Sequence, residues 1–280
     1  MFNKRHIVRT IAATVSILAL SFTAACGSGQ STASNSTDSD DITQQTYKPG
    51  KLTIATGQPA YKPESGEGYE AAVAYAVADK LGFKKSDVVW TRTAFDTAIA
   101  PGAKDWDFNI QQFGITDERK KAVDFSSSYY NDSQSVVVKK DSKFANATKV
   151  SDLKDATVGV MVGTLAYDYA KANIKDDIQT FNDDAALAQA LDAGQIDALV
   201  TSTVECVYMV QSEQVKDAKV LGRLPDSEDK SGMGIVLPKD SKLTAAVTKA
   251  VDDLNADGTI KKLQDKWLAE YTTDLTELKK

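Results

Sequence analysis

The chain has 280 residues, of which 42% are hydrophobic and 26% charged, enough to build two lobes with cores of their own. Its net charge of −6 leaves no basic footprint for nucleic acid. The single histidine, His6, falls in a leader-like segment, so the remaining chain has no imidazole for acid–base work or for a histidine-based metal site, and no metal or cofactor is expected.

Residues 1–26 read as a secretion signal. Lys4, Arg5 and Arg9 form a basic start, and the apolar run 11–22 is too short for a good membrane span. Thr23-Ala24-Ala25-Cys26-Gly27 resembles a bacterial lipobox, although Thr23 stands where leucine is usual. Cys26 is the expected lipidation site, and one such anchor holds a soluble domain at the outer face of a membrane. The alternative is plain cleavage, with Cys26 a bystander. Cys206 lies in an apolar run and reads as a small core residue. Residues 27–49 are Gly, Ser, Thr, Asn, Asp and Gln with almost nothing apolar, a composition expected to stay a flexible tether.

The folded part begins at Lys51. Residues 52–55 read as a strand, followed by a Gly/Pro-rich loop over 57–68 and an Ala/Val-rich helix over 69–81 that Gly82 closes. A strand over 87–91, a short helix over 95–99 and a strand over 106–113 follow. This alternation predicts a mostly parallel sheet covered on both faces. Strands at 135–138 and 234–237 share a Lys-Asp-Ser-Lys exit and are expected to be the two crossings between lobes. Between them lies a second α/β unit, with strands at 157–162, 178–181 and 196–201 and helices at 166–173, 183–193 and 203–211. Helices over 243–255 and 260–271 then return to the first lobe. The expected divisions are a leader (1–26), a tether (27–49), lobe one (50–138), lobe two (139–234), the return to lobe one (235–271) and a fraying tail (272–280).

One stretch carries chemistry. Phe113-Gly114-Ile115-Thr116-Asp117-Glu118-Arg119 places a glycine at a strand end, a threonine at a helix start and an arginine three residues beyond it. Backbone N–H groups and a guanidinium fork together make a carboxylate site. Taken alone, the same residues read as a capped helix with an exposed arginine.

From Lys51 to Tyr271 the chain resembles the extracytoplasmic solute-binding proteins of polar amino-acid ABC importers, family 3. The matches are Gly68-Tyr69-Glu70, then Thr116-Asp117-Glu118-Arg119 with Val123-Asp124-Phe125-Ser126 and Tyr129-Tyr130, then Val158-Gly159-Val160 with Gly163-Thr164, and Asp257-Gly258-Thr259 with Lys266-Trp267. The resemblance implies a two-lobed, type II periplasmic-binding-protein-like α/β fold, with lobes joined by hinge strands and closing on an amino acid. It implies that Arg119 grips the ligand carboxylate with the N–H groups of Gly114 and Thr164, and that the Gln112 carbonyl accepts from the ammonium. Tyr61 and Phe95 read equally as aromatic walls and as core. Met161, Leu165 and Ala166 sit where the side chain is read, again balanced between contact and core, and suggest a pocket less polar than basic amino acids need.

The family's two acidic residues that pair with the ammonium are replaced by Gly57 and Ser202. A buried ammonium without an anion is costly, so Glu64, Glu67, Glu205 or the hydroxyls of Thr201 and Ser202 are candidate replacements, unless the ligand is not a standard α-amino acid. The implied function is a lipid-anchored binding protein delivering an amino acid or close derivative, a small-molecule ligand, to an ABC permease and ATPase. The alternatives are a carboxylate-using lyase or dehydratase on the same fold, and a ligand-sensing surface lipoprotein.

Overall fold

The computed structural model describes residues 41–57, 63–269 and 275–280. The expectations for the leader, Cys26, most of the tether and Tyr61 lie outside these residues.

Ten strands follow in chain order: β1 (Leu52–Thr56), β2 (Val88–Arg92), β3 (Phe108–Asn109), β4 (Val123–Tyr130), β5 (Gln134–Lys139), β6 (Val158–Met161), β7 (Ile178–Phe181), β8 (Ala198–Ser202), β9 (Ala218–Arg223) and β10 (Met233–Pro238). The α-helices are α1 (Tyr69–Lys80), α2 (Phe95–Ile99), α3 (Asp117–Lys120), α4 (Leu165–Asn173), α5 (Asp184–Asp192), α6 (Thr203–Gln211), α7 (Thr244–Ala256) and α8 (Thr259–Trp267). They build a two-lobed α/β fold with one five-stranded sheet per lobe, ordered β2-β1-β3-β10-β4 and β7-β6-β8-β5-β9. In both sheets four strands run one way, and the fifth, next to one edge, runs against its neighbours.

The sheets are covered on both faces, as continuous apolar strands require. Leu52, Ile54 and Phe108 in the first sheet are fully buried under α1, α7 and α8, with Val73, Val77, Val247 and Val251 packed on them. Each such side chain contributes roughly 1.5–3 kcal/mol by leaving water. In the second lobe Val158 and Val160 pack beneath α4, while Leu187 and Leu191 of α5 and Cys206 and Met209 of α6 cover the other face. Cys206 is thus a buried core thiol, and burial pushes it well above the usual range.

Several boundaries differ from those expected. The first crossing between sheets is at 131–133, because β5 pairs with β8 and β9 and so belongs wholly to the second lobe. The return is at 224–232, ahead of β10. The two strands with the Lys-Asp-Ser-Lys exits are therefore not crossings. Each begins just after one, and they are equivalent antiparallel strands of the two sheets. β4 and β9 were not expected. Residues 41–49, expected to belong to the tether, are part of the fold: Asp41 caps a 3-10 turn over Ile42–Gln44, Ile42 packs on the first core, and the Tyr47 N–H donates to Asp107 at 2.6 Å. Residues 275–280 do not fray. Leu278 is buried in the second lobe, and Leu278 and Lys279 bond to Arg223 and Thr148. α8 ends at Trp267 rather than at 271.

Asp132 sits in the first crossing and ties it to α6. Its carboxylate accepts the N–H of Val204 at 3.1 Å and of Ser133 at 2.8 Å, and its carbonyl accepts the N–H of Asp229 from the second crossing. Burial pushes this carboxyl up to about 6 despite those donors. A raised carboxyl binds its proton more tightly when folded, so the penalty is present above pH 6 and is relieved as pH falls toward the ordinary value of 3.8. Acidification from about pH 7 to pH 5 should therefore stabilise the protein relative to Asp132→Asn, by an amount on the order of 1 kcal/mol. Paired denaturant titrations at the two pH values test this, and identical pH slopes in the two proteins would refute it.

Candidate ligand cleft

The parallel strands of both lobes direct their carboxyl ends at a shared cleft, the usual ligand position in α/β sheets. A cavity of about 650 Å³ occupies it, a volume typical of small-molecule sites. Its lining includes Gln112, Gly114, Arg119 and Phe95 from the first lobe, and Met161, Thr164, Leu165, Ala166 and Ser202 from the second.

Arg119 is the centre of this arrangement. Thr116 caps α3 by accepting the Arg119 N–H at 3.1 Å, which fixes the backbone from which the side chain leaves. The guanidinium is buried and lies 5.4 Å from the centroid of Phe95, whose ring stacks on Phe113 at 4.5 Å. One terminal nitrogen donates to the Gly114 carbonyl at 2.7 Å, and the other crosses the cleft to the Gly163 carbonyl at 2.8 Å. Burial lowers its proton affinity, partly offset by the charges of Asp168 and Asp229. The group is one of guaranteed positive charge, desolvated and hydrogen-bonded to neutral oxygens.

Among the described residues the lobes also meet elsewhere. The Ser202 hydroxyl donates to the Gln112 side-chain oxygen at 2.7 Å. Met161, at the end of β6, packs into the first lobe's cluster with Phe95, Phe113 and Trp106. Leu165 lies against Gly114, where an added Cβ would come within 2.5 Å of it and 2.6 Å of Asp229. Phe95 and Met161 are thus core residues that also line the cavity. Thr164 caps α4, accepting the Tyr167 N–H at 3.2 Å, and aims that helix's N-terminus into the cleft.

Gly57 and Ser202, where the resemblance implies acids, both abut neighbouring amides. A side chain at residue 57 would collide with the Gln111 amide nitrogen, 2.3 Å from an ideal Cβ, so Gly57 makes room for Gln111. Ser202 is engaged by Gln112. Gln112 holds a left-handed backbone, φ 53°, at a cost on the order of 1–2 kcal/mol. Its N–H donates to Glu70 at 2.7 Å, and Glu70 also accepts the Tyr129 hydroxyl. Burial raises the Glu70 carboxyl, opposed by those two donors. Of the expected replacement acids, Glu67 and Glu205 line the cavity and Glu64 does not. Glu70, Gln111 and Asp184 also line it and were not singled out from sequence. For Gln111 the one available signal was its place at the end of an apolar strand beside Gln112.

A buried guanidinium spanning two lobes, at the carboxyl ends of two similar sheets, defines a two-lobed small-molecule binding protein. The profile of the bacterial extracellular solute-binding proteins, family 3, matches residues 52–270, and the chain belongs to that family. It is 29% identical to the L-arginine-binding protein of Pseudomonas aeruginosa, over 79% of this chain and 88% of the relative. It is 31% identical to the L-cystine-binding protein TcyJ of Escherichia coli, over 74% of this chain and 76% of the relative. Among solved structures it superposes on an ancestral arginine-binding protein bound to arginine with a TM-score of 0.66, at 31% identity, covering 78% of this chain and 98% of the other.

Gly114→Ala introduces a Cβ that the Leu165 and Asp229 side chains must move aside to admit. It should keep the far-UV circular dichroism spectrum while enlarging the radius of gyration in small-angle scattering, as the cleft is held open. An unchanged radius would show that the contact does not limit closure.

Proposed function

We propose that the protein captures an α-amino acid or close derivative outside the cytoplasm and delivers it to an ABC importer. The observation that carries this reading is Arg119, a desolvated cation facing the cleft with carbonyl partners. A ligand carboxylate would replace neutral acceptors by an anionic, bidentate one, a stronger pair in a closed site. The N–H groups of Gly114 and Thr164 and the α4 N-terminus add to that grip. The ammonium is held by the Gln112 carbonyl and by the Gln111 side-chain oxygen, which is buried and without a hydrogen-bond partner. Phe95 and the second lobe's Met161 and Leu165 pack on the carbon skeleton.

Because the ligand touches both lobes, it binds the closed form better than the open one and shifts that equilibrium by the difference. Binding without turnover is sufficient for this role. A ligand recovered unaltered and in stoichiometric amount fits it, whereas product formation would favour a lyase on the same fold.

Arg119→Ala should weaken binding at least about a hundredfold, the scale of a lost buried charge pair, while the ligand-free protein melts within a few degrees of the original. Calorimetry with the amino acid giving the largest thermal shift measures it, and an unchanged affinity would remove the carboxylate role.

Residues 1–26 act in this reading as a leader ending at Cys26, with the residues up to about 40 as the tether. Protein extracted from membranes should be heavier than the polypeptide beginning at Cys26 by a thioether-linked lipid of one or more acyl chains. Intact mass spectrometry showing an unmodified Cys26 would refute anchoring but leave ligand capture untouched.

A further inference from the structure

The carboxylate grip of Arg119 leaves one wall of the cavity without a task. That wall is built where α5 and α6 begin, in the second lobe. Asp183 caps α5, accepting the Ala186 N–H at 2.7 Å, so the next residue, Asp184, is not needed as the cap. Asp184 lines the cavity, and its Oδ1 is buried with no hydrogen-bond partner. Glu205, in the first turn of α6 and 4% exposed, lines the same cavity. Leu187 and Ala188 of α5 pack with Cys206 of α6 in one core cluster, so the first turns of the two helices lie side by side.

Strand register places this wall beside the carboxylate grip. Met161 of β6 pairs with Phe181 of β7, so Thr164 and Asp184 each lie three residues beyond a paired position on adjacent strands. A ligand whose carboxylate meets Arg119 and Thr164 therefore has its side chain free to extend over Met161 toward Asp184. The apolar residues Met161, Leu165 and Ala166 form only the path. At its end is a desolvated carboxylate oxygen, a group costly to bury unless a cation or strong donor reaches it. An anionic side chain would be repelled there, and an aliphatic one would leave the oxygen unsatisfied.

We infer that Asp184, with Glu205 beside it, receives a positively charged group at the far end of the ligand side chain, so that the protein selects amino acids carrying a second, distal cation. This rests on the carboxylate role of Arg119. Where the resemblance implies acids, residues 57 and 202 are glycine and serine against the Gln111 and Gln112 amides, and the negative charge is supplied deeper, where it reads the side chain.

Calorimetry with two matched pairs tests the inference: L-arginine against L-citrulline, and L-lysine against L-norleucine, which differ in the distal charge but hardly in shape. The unsubstituted protein should prefer the cationic member of at least one pair by about tenfold or more, as expected for one desolvated charge contact. Asp184→Asn should erase most of that preference while changing the affinity for the neutral member less than about twofold. Glu205→Gln should reduce the preference by a smaller factor. Equal losses for both members would make Asp184 a packing residue and overturn the inference, as would the absence of any preference in the unsubstituted protein. If a neutral or acidic amino acid binds best and depends on Arg119, the inference fails and the proposed function stands. If no amino acid binds, or binding ignores Arg119→Ala, the proposed function fails with it.

Discussion

A single desolvated guanidinium sets the terms for the rest of the cleft. Arg119 leaves α3 of the first lobe and ends on the Gly163 carbonyl of the second, so its charge lies on the closing surface itself. Burying that charge against neutral carbonyls is unfavourable by comparison with water, and the aromatic stack of Phe95 on Phe113 offsets only part of the loss. An anion entering the cleft recovers the remainder. Under the proposed function, the coupling between binding and closure then has an electrostatic source, and the apolar contacts of Met161 and Leu165 supply shape to it.

The amide pair Gln111-Gln112 is the second constraint. The family resemblance implies acids at residues 57 and 202, facing a ligand ammonium. With Gly57 and Ser202 in those places, the two glutamines fill the volume and contribute dipoles instead of charge. The left-handed backbone of Gln112 shows what this costs. It is held by Glu70, itself fixed by Tyr129, and Tyr69 donates its hydroxyl to the Tyr129 carbonyl at 2.6 Å. A strained residue braced by a buried carboxylate and two tyrosines belongs to a site whose geometry is set in advance.

Local patterns made much of this legible in the sequence. The run from Gly114 to Arg119 carries its own capping signal, and the strand–helix alternation of each lobe follows from apolar periodicity. What escaped depends on tertiary pairing. β4 is buried at every third residue, not every second, because bulges opposite Met233 and Gly234 shift its register. β9 contains a glycine, Gly222, that reads as a break, yet it accommodates the Thr276 carbonyl of the C-terminal segment at 2.5 Å from an ideal Cβ. The crossings were misplaced because β5 and β10 share an exit sequence. That likeness reflects equivalent positions in two similar sheets, and the chain changes lobes before each strand rather than along it.

Asp184 was the least legible of the cleft residues, for a reason that bears on its role. Beside Asp183 it reads as a second acid in a helix's first turn, where the dipole favours any carboxylate. Only the fold shows that Asp183 already caps the helix and that the next carboxylate faces a cavity. Dipole stabilisation at a helix end is worth a few tenths of a kcal/mol to about 1 kcal/mol when exposed, and desolvation of a carboxylate outweighs it. Burial raises the Asp184 carboxyl to about 6, the direction expected when desolvation wins. The acid is thus held in an environment that disfavours its charge, within reach of the space a ligand side chain fills. A cation arriving there gains more from the carboxylate than the same cation would gain at the surface, and that difference is the physical basis of selectivity.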